Sequence, residues 1–180
     1  MSHIRQISAG PTIRPGEIWL VEQSADAGFA PLQRDAVASA NVILYDRTLE
    51  VLVAENLPLG TYAEPLPNGE QEAGSAISPR ALRFAADGWR VVQMVEARPG
   101  WRERVNREAA RLARSGDGEL PVMVIAKPDG NSHQREACAA NLPALTDAVA
   151  DEYPLTLILG PLAAHAPAPG QAFTANGLAG

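Results

Sequence analysis

Short apolar runs alternate with amphipathic stretches along the chain, and this alternation predicts strands separated by helices. The apolar runs have the length of a strand and little polar alternation, which is typical of strands covered on both faces. They occupy residues 17–21, 41–45, 89–95, 121–126 and 155–160. Trp19 and Trp89 fall within these runs, so we expect both indole rings to lie in the core.

The stretches between the runs carry apolar residues at helical spacing and end at stop signals such as Gly88 and Gly116. Their predicted apolar faces are Leu32, Ala36 and Val37; Leu82 and Ala85; and Val105, Ala109 and Leu112. A further helix is predicted over residues 133–152, broken near Pro143. Strands that alternate with helices indicate an α/β protein with a mostly parallel sheet.

One connection and both ends of the chain lack this periodicity. Residues 57–76 are rich in Pro and Gly and are predicted to form one long connection, either a functional lid or a mobile loop. Residues 1–14 and 166–180 are predicted to be flexible termini.

Charge and composition exclude several functions. The net charge is -6 and the sequence pI is about 5.1. We therefore expect the protein to bind neither nucleic acid nor an anionic membrane surface. Arginines do concentrate over residues 98–114, but they alternate with glutamates, which is typical of a solvated helix face. No apolar run approaches the length of about 18 residues that a membrane span needs. We therefore expect a soluble, cytoplasmic protein.

Metal and nucleophile chemistry are not indicated by the residues. The single cysteine, Cys138, excludes a disulfide within the chain and a multi-cysteine zinc site. We interpret it as a small buried residue, because no base can be named beside it. His133 is placed at a predicted helix start, and the other histidines, His3 and His165, lie in the predicted flexible ends. No metal site is therefore predicted.

The second apolar run ends in Leu44-Tyr45-Asp46-Arg47, the most specific motif of the chain. Together with the strand at residues 16–21 and the helix and strand at residues 78–94, it resembles the tetrapyrrole methylases, most closely the uroporphyrinogen-III C-methyltransferases. In that family the first strand is similar to Gly-Glu-Val-Tyr-Leu-Val, and the second ends in Leu-Tyr-Asp-Arg-Leu. Residues 120–163 resemble the closing section of the same family. The resemblance implies a tetrapyrrole-methylase-like fold.

The resemblance also defines where this chain departs from the family. Two Gly-rich loops that help to form the S-adenosylmethionine site of the family are replaced here by residues 22–32 and 96–104. A central segment of the family is missing as well, which leaves an N-terminal lobe at residues 15–116 and a remnant of the second lobe at residues 117–165. The vestigial cofactor positions are Glu22, Gly28, Glu96, Pro99 and Gly100.

By resemblance, Tyr45, Asp46 and Arg47 are candidate residues of the ligand cleft, at the carboxyl end of a strand where open α/β sheets bind ligands. A purely structural interpretation remains open, in which Asp46 caps the following turn and Arg47 pairs with an acidic neighbour at the surface. Trp101, which replaces part of the second cofactor loop, is expected to fill the space of that site.

Two functions are compatible with these features. Glycines let the backbone approach a ligand closely, and methyl transfer needs the donor and acceptor to be held in alignment. Loss of both Gly-rich loops therefore favours a degenerate, non-catalytic protein that needs no cofactor and serves as a binding or accessory protein in tetrapyrrole-related metabolism. Such a protein is expected to form a homodimer or bind a protein partner, with a tetrapyrrole as a possible ligand. The alternative is an active S-adenosylmethionine-dependent tetrapyrrole methyltransferase with a reshaped cofactor site.

Overall fold

The computed structural model describes residues 12–67, 76–114, 122–126, 133–137 and 155–162. Within these residues the strands are β1 (Ile18–Gln23), β2 (Val42–Tyr45), β3 (Tyr62–Pro65), β4 (Val91–Glu96), β5 (Val122–Ala126), β6 (His133–Ala137) and β7 (Thr156–Leu159). The α-helices are α1 (Pro31–Ser39), α2 (Glu50–Asn56), α3 (Pro79–Ala86) and α4 (Trp101–Arg114). A short 3-10 helix, Arg47–Leu49, precedes α2.

The strands form one sheet in the order β3-β2-β4-β1-β7-β5-β6. The first four of these pair in parallel. The β1–β7, β7–β5 and β5–β6 pairs are antiparallel, so five of the seven strands run in the same direction and β7 and β6 run against them. The prediction of an α/β protein with a mostly parallel sheet is confirmed.

Each face of the sheet is covered by its own hydrophobic cluster. On one face, Leu20 and Leu44 of the sheet pack with Ala81 of α3 and Val105 of α4. On the other face, strand residues including Trp19 pack with the buried residues of α1 and α2. Strands that are apolar on both faces are what a sheet between two helical layers requires.

Local signals account for where the helices begin. Pro79 occupies the first turn of α3, and the Ser78 hydroxyl accepts a hydrogen bond from the Arg80 N–H at 3.2 Å, as an N-cap residue does. Gly100, with φ of 75°, makes the turn into α4 in a conformation that other residues rarely adopt. The three helices predicted from apolar periodicity are confirmed as α1, α3 and α4.

Several predictions of local structure are wrong. Residues 133–137 form β6 rather than a helix, because pairing with β5 supplies backbone hydrogen bonds that outweigh a weak helical propensity; residues 138–152 lie outside the described part. The long connection over residues 57–76 contains β3, and α2 was missed. Trp89 precedes β4 and is 48% exposed, so it is not a core residue.

Candidate functional site

The site lies at the edge of the sheet where the parallel strands β1, β2 and β4 end. The carboxyl ends of parallel strands meet at one edge, and open α/β sheets bind their ligands there. The loop after β4 leads at this edge into α4, whose first turn contacts the end of β1. Acidic side chains from the three strand ends therefore meet arginines from this loop and from α4.

An ion pair between a partly buried arginine and a buried carboxylate joins β1 to α4. Arg102 donates from Nε to Glu22 Oε1 at 2.8 Å and from Nη2 to Glu22 Oε2 at 2.6 Å. Glu22 is 2% exposed, and its carboxylate also accepts a hydrogen bond from the Leu155 N–H at 3.2 Å. The carboxylate thus links the end of β1 to α4 and to the residue that precedes β7.

Asp46 links β2 to β4. It is 3% exposed, and its Oδ2 accepts a hydrogen bond from the Glu96 N–H at 2.8 Å. Arg98 Nη2 lies 3.9 Å from the same oxygen and 3.7 Å from Glu96 Oε2. Burial raises the pKa of Asp46, while the Glu96 hydrogen bond and the charge of Arg98 act in the opposite direction. Although Asp46 stands at the N-cap position of the 3-10 helix, its side chain makes no capping hydrogen bond, so the expected cap is not formed.

A small cleft, open to solvent on one side, lies between β4, the start of α4 and the residues that flank β3 and α3. Its polar lining includes Asp46, Glu96, Arg98 and Arg104. Its apolar lining includes Leu66, Ala76, Val95 and Trp101.

Trp101 and Arg104 contribute donors at the wall formed by α4. Trp101 is 5% exposed and belongs to the hydrophobic cluster on this face of the sheet. Within the described part of the chain, neither its Nε1 nor the buried Nε of Arg104 has a hydrogen-bond partner. Buried donors are nearly always paired in folded proteins, which marks this wall as unusual.

The opposite wall is held by two polar side chains, of which Gln93 is buried and Glu108 is partly buried. Gln93 of β4 accepts from the Ser78 N–H and donates to the Ala76 carbonyl, both at 2.9 Å. Glu108 of α4 accepts from the Ala76 and Ile77 N–H groups at 2.7 and 3.1 Å. Residues 76–78 are thereby fixed between the sheet and α4, and they position one side of the cleft.

The structure separates the three residues of the Tyr45-Asp46-Arg47 motif. Only Asp46 lines the cleft. Tyr45 belongs to the hydrophobic cluster on the opposite face of the sheet, and burial, followed by the nearby charge of Glu50, raises the pKa of its hydroxyl. Arg47 is exposed, and among the described residues it has no ion pair with an acidic neighbour.

The vestigial cofactor positions are divided in the same way. Glu22 and Glu96 take part in the ion pairs described above, whereas Pro99 and Gly100 are exposed in the turn before α4. Gly28 is exposed in the loop after β1, and a Cβ atom built on it would meet nothing within 4 Å. No close approach therefore requires a glycine there.

Sequence reasoning missed the inward arginines. Arg102 and Arg104 lie in the stretch that was interpreted as a solvated helix face, yet one pairs with buried Glu22 and the other lines the cleft. The sequence did contain a signal for their inward position. Trp101 and Val105 lie next to the two arginines on the helix, so the arginines border its apolar face. The partner of Arg102 could not be inferred from that position.

The described residues contain neither a cluster of metal ligands nor a membrane-spanning helix. No three His, Cys, Asp or Glu side chains in that part of the chain come together as a metal site would need. No helix in it is long and apolar enough to cross a bilayer. The side chains of His133 and Cys138, which the sequence singled out, lie outside the described part.

Comparison with known proteins gives a distant structural likeness. The sequence matches no protein-family model and no curated protein. Among solved structures it is similar to the X-ray structure of cobalt precorrin-4 methyltransferase, a cobalamin biosynthetic enzyme, with 13% sequence identity and a TM-score of 0.32. The match covers 74% of this chain and 90% of that chain. A likeness of this size carries no argument about ligand or activity.

Proposed function

We propose that this protein is a non-catalytic relative of the uroporphyrinogen-III C-methyltransferases that retains a ligand-binding cleft. In this proposal it serves as a binding or accessory protein in tetrapyrrole-related metabolism. The observation that carries the proposal is the hydrogen-bonded pair of Glu22 and Arg102. This pair joins residues 22–32 to residues 96–104. According to the resemblance, these two segments occupy the positions of the family's cofactor loops.

Side chains occupy space at this edge that a glycine-lined site would leave to the cofactor. The Arg102 guanidinium lies against the end of β1, and the Gln33 side chain donates to the Glu22 carbonyl at 3.0 Å. Gln23 donates to the carbonyls of Ser24 and Ala27 at 2.9 and 2.7 Å, which holds the loop after β1 against its own strand. Glycine is used where a backbone must approach a ligand closely, and these contacts favour a closed edge.

The test is calorimetric titration of the full chain with S-adenosylmethionine and with S-adenosylhomocysteine. We expect no binding in the micromolar range for either compound. A micromolar dissociation constant, about -8 kcal/mol, would refute the proposal and favour a methyltransferase with a reshaped cofactor site. A single cooperative melting transition of the same sample serves as the control that the protein is folded.

The binding part of the proposal is tested separately with uroporphyrin, the stable oxidised form of the tetrapyrrole. Saturable quenching of its fluorescence by the protein is the expected result. If neither uroporphyrin nor S-adenosylmethionine binds, the proposal that the protein binds a tetrapyrrole is refuted. The proposal that it is not a methyltransferase is then retained.

A further inference from the structure

Aromatic side chains lie at the edge of the sheet opposite the cleft. Tyr62 begins β3 and Trp89 lies two residues before β4, and both are 48% exposed. The parallel strands β3, β2 and β4 share this edge: the Tyr62 N–H donates to the Asn41 carbonyl, and the Asn41 N–H donates to the Arg90 carbonyl. The Phe84 ring lies 5.9 Å from the Tyr62 ring, and the Phe84 carbonyl accepts from the Trp89 N–H at 3.0 Å. Tyr62, Phe84 and Trp89 together form the aromatic face.

The outer edge of β3 does not favour the addition of another strand. β3 is the last strand of the described sheet on this side. The N–H groups of Tyr62 and Leu66 donate to β2, so the alternate residues Ala63 and Pro65 direct their backbone groups outward. Pro65 has no N–H, and proline on an edge strand hinders pairing. A segment that binds here is therefore expected to dock through side chains, against the aromatic face.

The chain after β7 leaves the described part beside this face. The Leu162 N–H donates to the Gly16 carbonyl at 2.8 Å, and the Gly16 N–H donates to the Trp89 carbonyl at 3.1 Å. Leu162 and Phe84 pack against the same hydrophobic cluster, the one that α3 and α4 cover. Residues 163–180, which follow in the sequence, therefore start next to the aromatic face and on its side of the sheet.

The other segment that starts near this edge leads elsewhere. Ile13, at the beginning of the described part, packs in the cluster on the opposite face of the sheet, so residues 1–11 start on that face. The chemistry of residues 163–180 also suits an aromatic surface, because they contain no Asp, Glu, Lys or Arg and carry Pro167 and Pro169 near their start. Pro-rich segments adopt an extended conformation at little entropic cost and dock on aromatic side chains.

The length of this segment matches the distance to be crossed. In the sheet order, β4, β2 and β3 lie one, two and three strands from β1, so β3 is about 14 Å from β1 at about 4.8 Å per strand. An extended chain advances about 3.3 Å per residue, and about five residues cover this distance. Pro167 is the fifth residue after Leu162. We propose that residues 165–169, His-Ala-Pro-Ala-Pro, dock on the aromatic face of the same chain.

This docking removes exposed rings from water and occupies a surface that another protein would otherwise contact. It limits the flexibility predicted for the tail to the residues beyond Pro169. The inference goes beyond the binding function proposed above and does not depend on it, because the cleft lies at the other edge of the sheet.

The experiment places a nitroxide spin label on the tail of the ¹⁵N-labelled full-length protein and follows the indole N–H resonances. The label is attached at Gln171→Cys, two residues after the docking segment, in the Cys138→Ser background. The chain has three tryptophans, and Trp89→Phe identifies the resonance of Trp89. We expect the label to broaden the Trp89 resonance strongly and to leave the Trp101 resonance, at the opposite edge of the sheet, sharp.

Replacement of both prolines tests whether they make the contact. Pro167→Gly combined with Pro169→Gly should restore the Trp89 resonance of the labelled protein. Thr174→Gly combined with Ala175→Gly, beyond the docking segment, is the matched control and should leave Trp89 broadened. The inference is overturned if Trp89 is broadened no more than Trp101, or if the glycine pair at the two prolines leaves the broadening unchanged.

A mixture distinguishes docking within one chain from docking on a second copy. Spin-labelled protein without ¹⁵N is mixed with ¹⁵N-labelled protein without a spin label, and we expect no broadening of Trp89. Broadening in this mixture would overturn the assignment to the same chain. If Cys138→Ser does not fold, the unlabelled full chain decides: a shift of the Trp89 resonance in Pro167→Gly/Pro169→Gly, absent in the matched control, supports the inference, and an unshifted resonance overturns it.

Discussion

Arg102 of α4 holds Glu22 at the end of β1 through two hydrogen bonds of 2.6 and 2.8 Å, across 80 positions of sequence. The pairing of a planar guanidinium with both oxygens of a carboxylate is the geometry in which such contacts are strongest. Because Glu22 is buried and Arg102 is only 21% exposed, the pair is little screened by solvent. It fixes α4 over the sheet, and the cleft wall depends on it.

Removal of the arginine should leave a buried carboxylate without its counter-charge. We expect Arg102→Ala to lower the free energy of unfolding by about 3 kcal/mol or more, measured by urea denaturation at neutral pH. Arg107→Ala, exposed on the same helix, should change it by no more than about 0.5 kcal/mol.

A double substitution separates the charge from the packing. Glu22→Gln combined with Arg102→Met keeps an acceptor for the Leu155 N–H and buries no charge, so it should recover much of the loss. A stability of Arg102→Ala equal to that of the wild type would show that the ion pair does not hold α4.

Stability should depend on pH through Asp46. Burial raises the pKa of this carboxyl in the folded protein above its usual value, so the folded state binds the proton more tightly than the unfolded chain. The resulting stabilisation is complete below the unfolded pKa and is lost as the pH rises through the folded pKa. Asp46→Asn keeps an acceptor for the Glu96 N–H and cannot ionise.

We therefore expect the unfolding free energy of Asp46→Asn, relative to the wild type, to increase as the pH rises from about 4 to about 7. Urea denaturation at several pH values measures this difference. Asp35→Asn, an exposed position on α1, controls for the loss of one negative charge. A difference between Asp46→Asn and the wild type that does not change with pH would contradict the argument.

The segment before α3 should depend on Glu108. Glu108→Ala removes the acceptor of the Ala76 and Ile77 N–H groups, and each donor left unpaired costs about 1–3 kcal/mol. Glu108→Gln retains an acceptor oxygen and should lose less, and Glu103→Ala, exposed on the same helix, should be nearly neutral. Urea denaturation orders the three variants, and equal stabilities would show that residues 76–78 are held by other contacts.

Self-association remains a prediction, and three exposed apolar side chains suggest where to test it. Leu59 is fully exposed, Val51 is 70% exposed and Tyr62 is 48% exposed, and apolar patches on soluble proteins often mark interfaces. We expect a dimer in sedimentation velocity at micromolar concentration and a shift to monomer in Leu59→Glu. Arg47→Glu is the surface control. A wild type that sediments as a monomer would contradict the prediction.

Five of the seven described strands and three of the described helices followed from the sequence because their signals are local. The apolar run at β2 and the spacing of Val105, Ala109 and Leu112 in α4 each report which faces are buried, without reference to any other element. The strand conformation of residues 133–137 could not be inferred in that way, because β6 forms by pairing with β5. Whether Asp46 lines a cleft or caps a turn stayed open in the sequence, because its position beside Arg47 does not reveal which strand runs next to β2.

By itself, the sequence determined an α/β protein with a mostly parallel sheet and the places where strands end in charged residues. Only the tertiary structure decided what those charges do. Asp46 meets the Glu96 N–H across 50 positions because β2 lies beside β4, and Glu22 meets Arg102 because α4 packs over the end of β1. Strand order and helix placement set these distances, and both depend on the whole chain burying its apolar faces together, which no local pattern specifies.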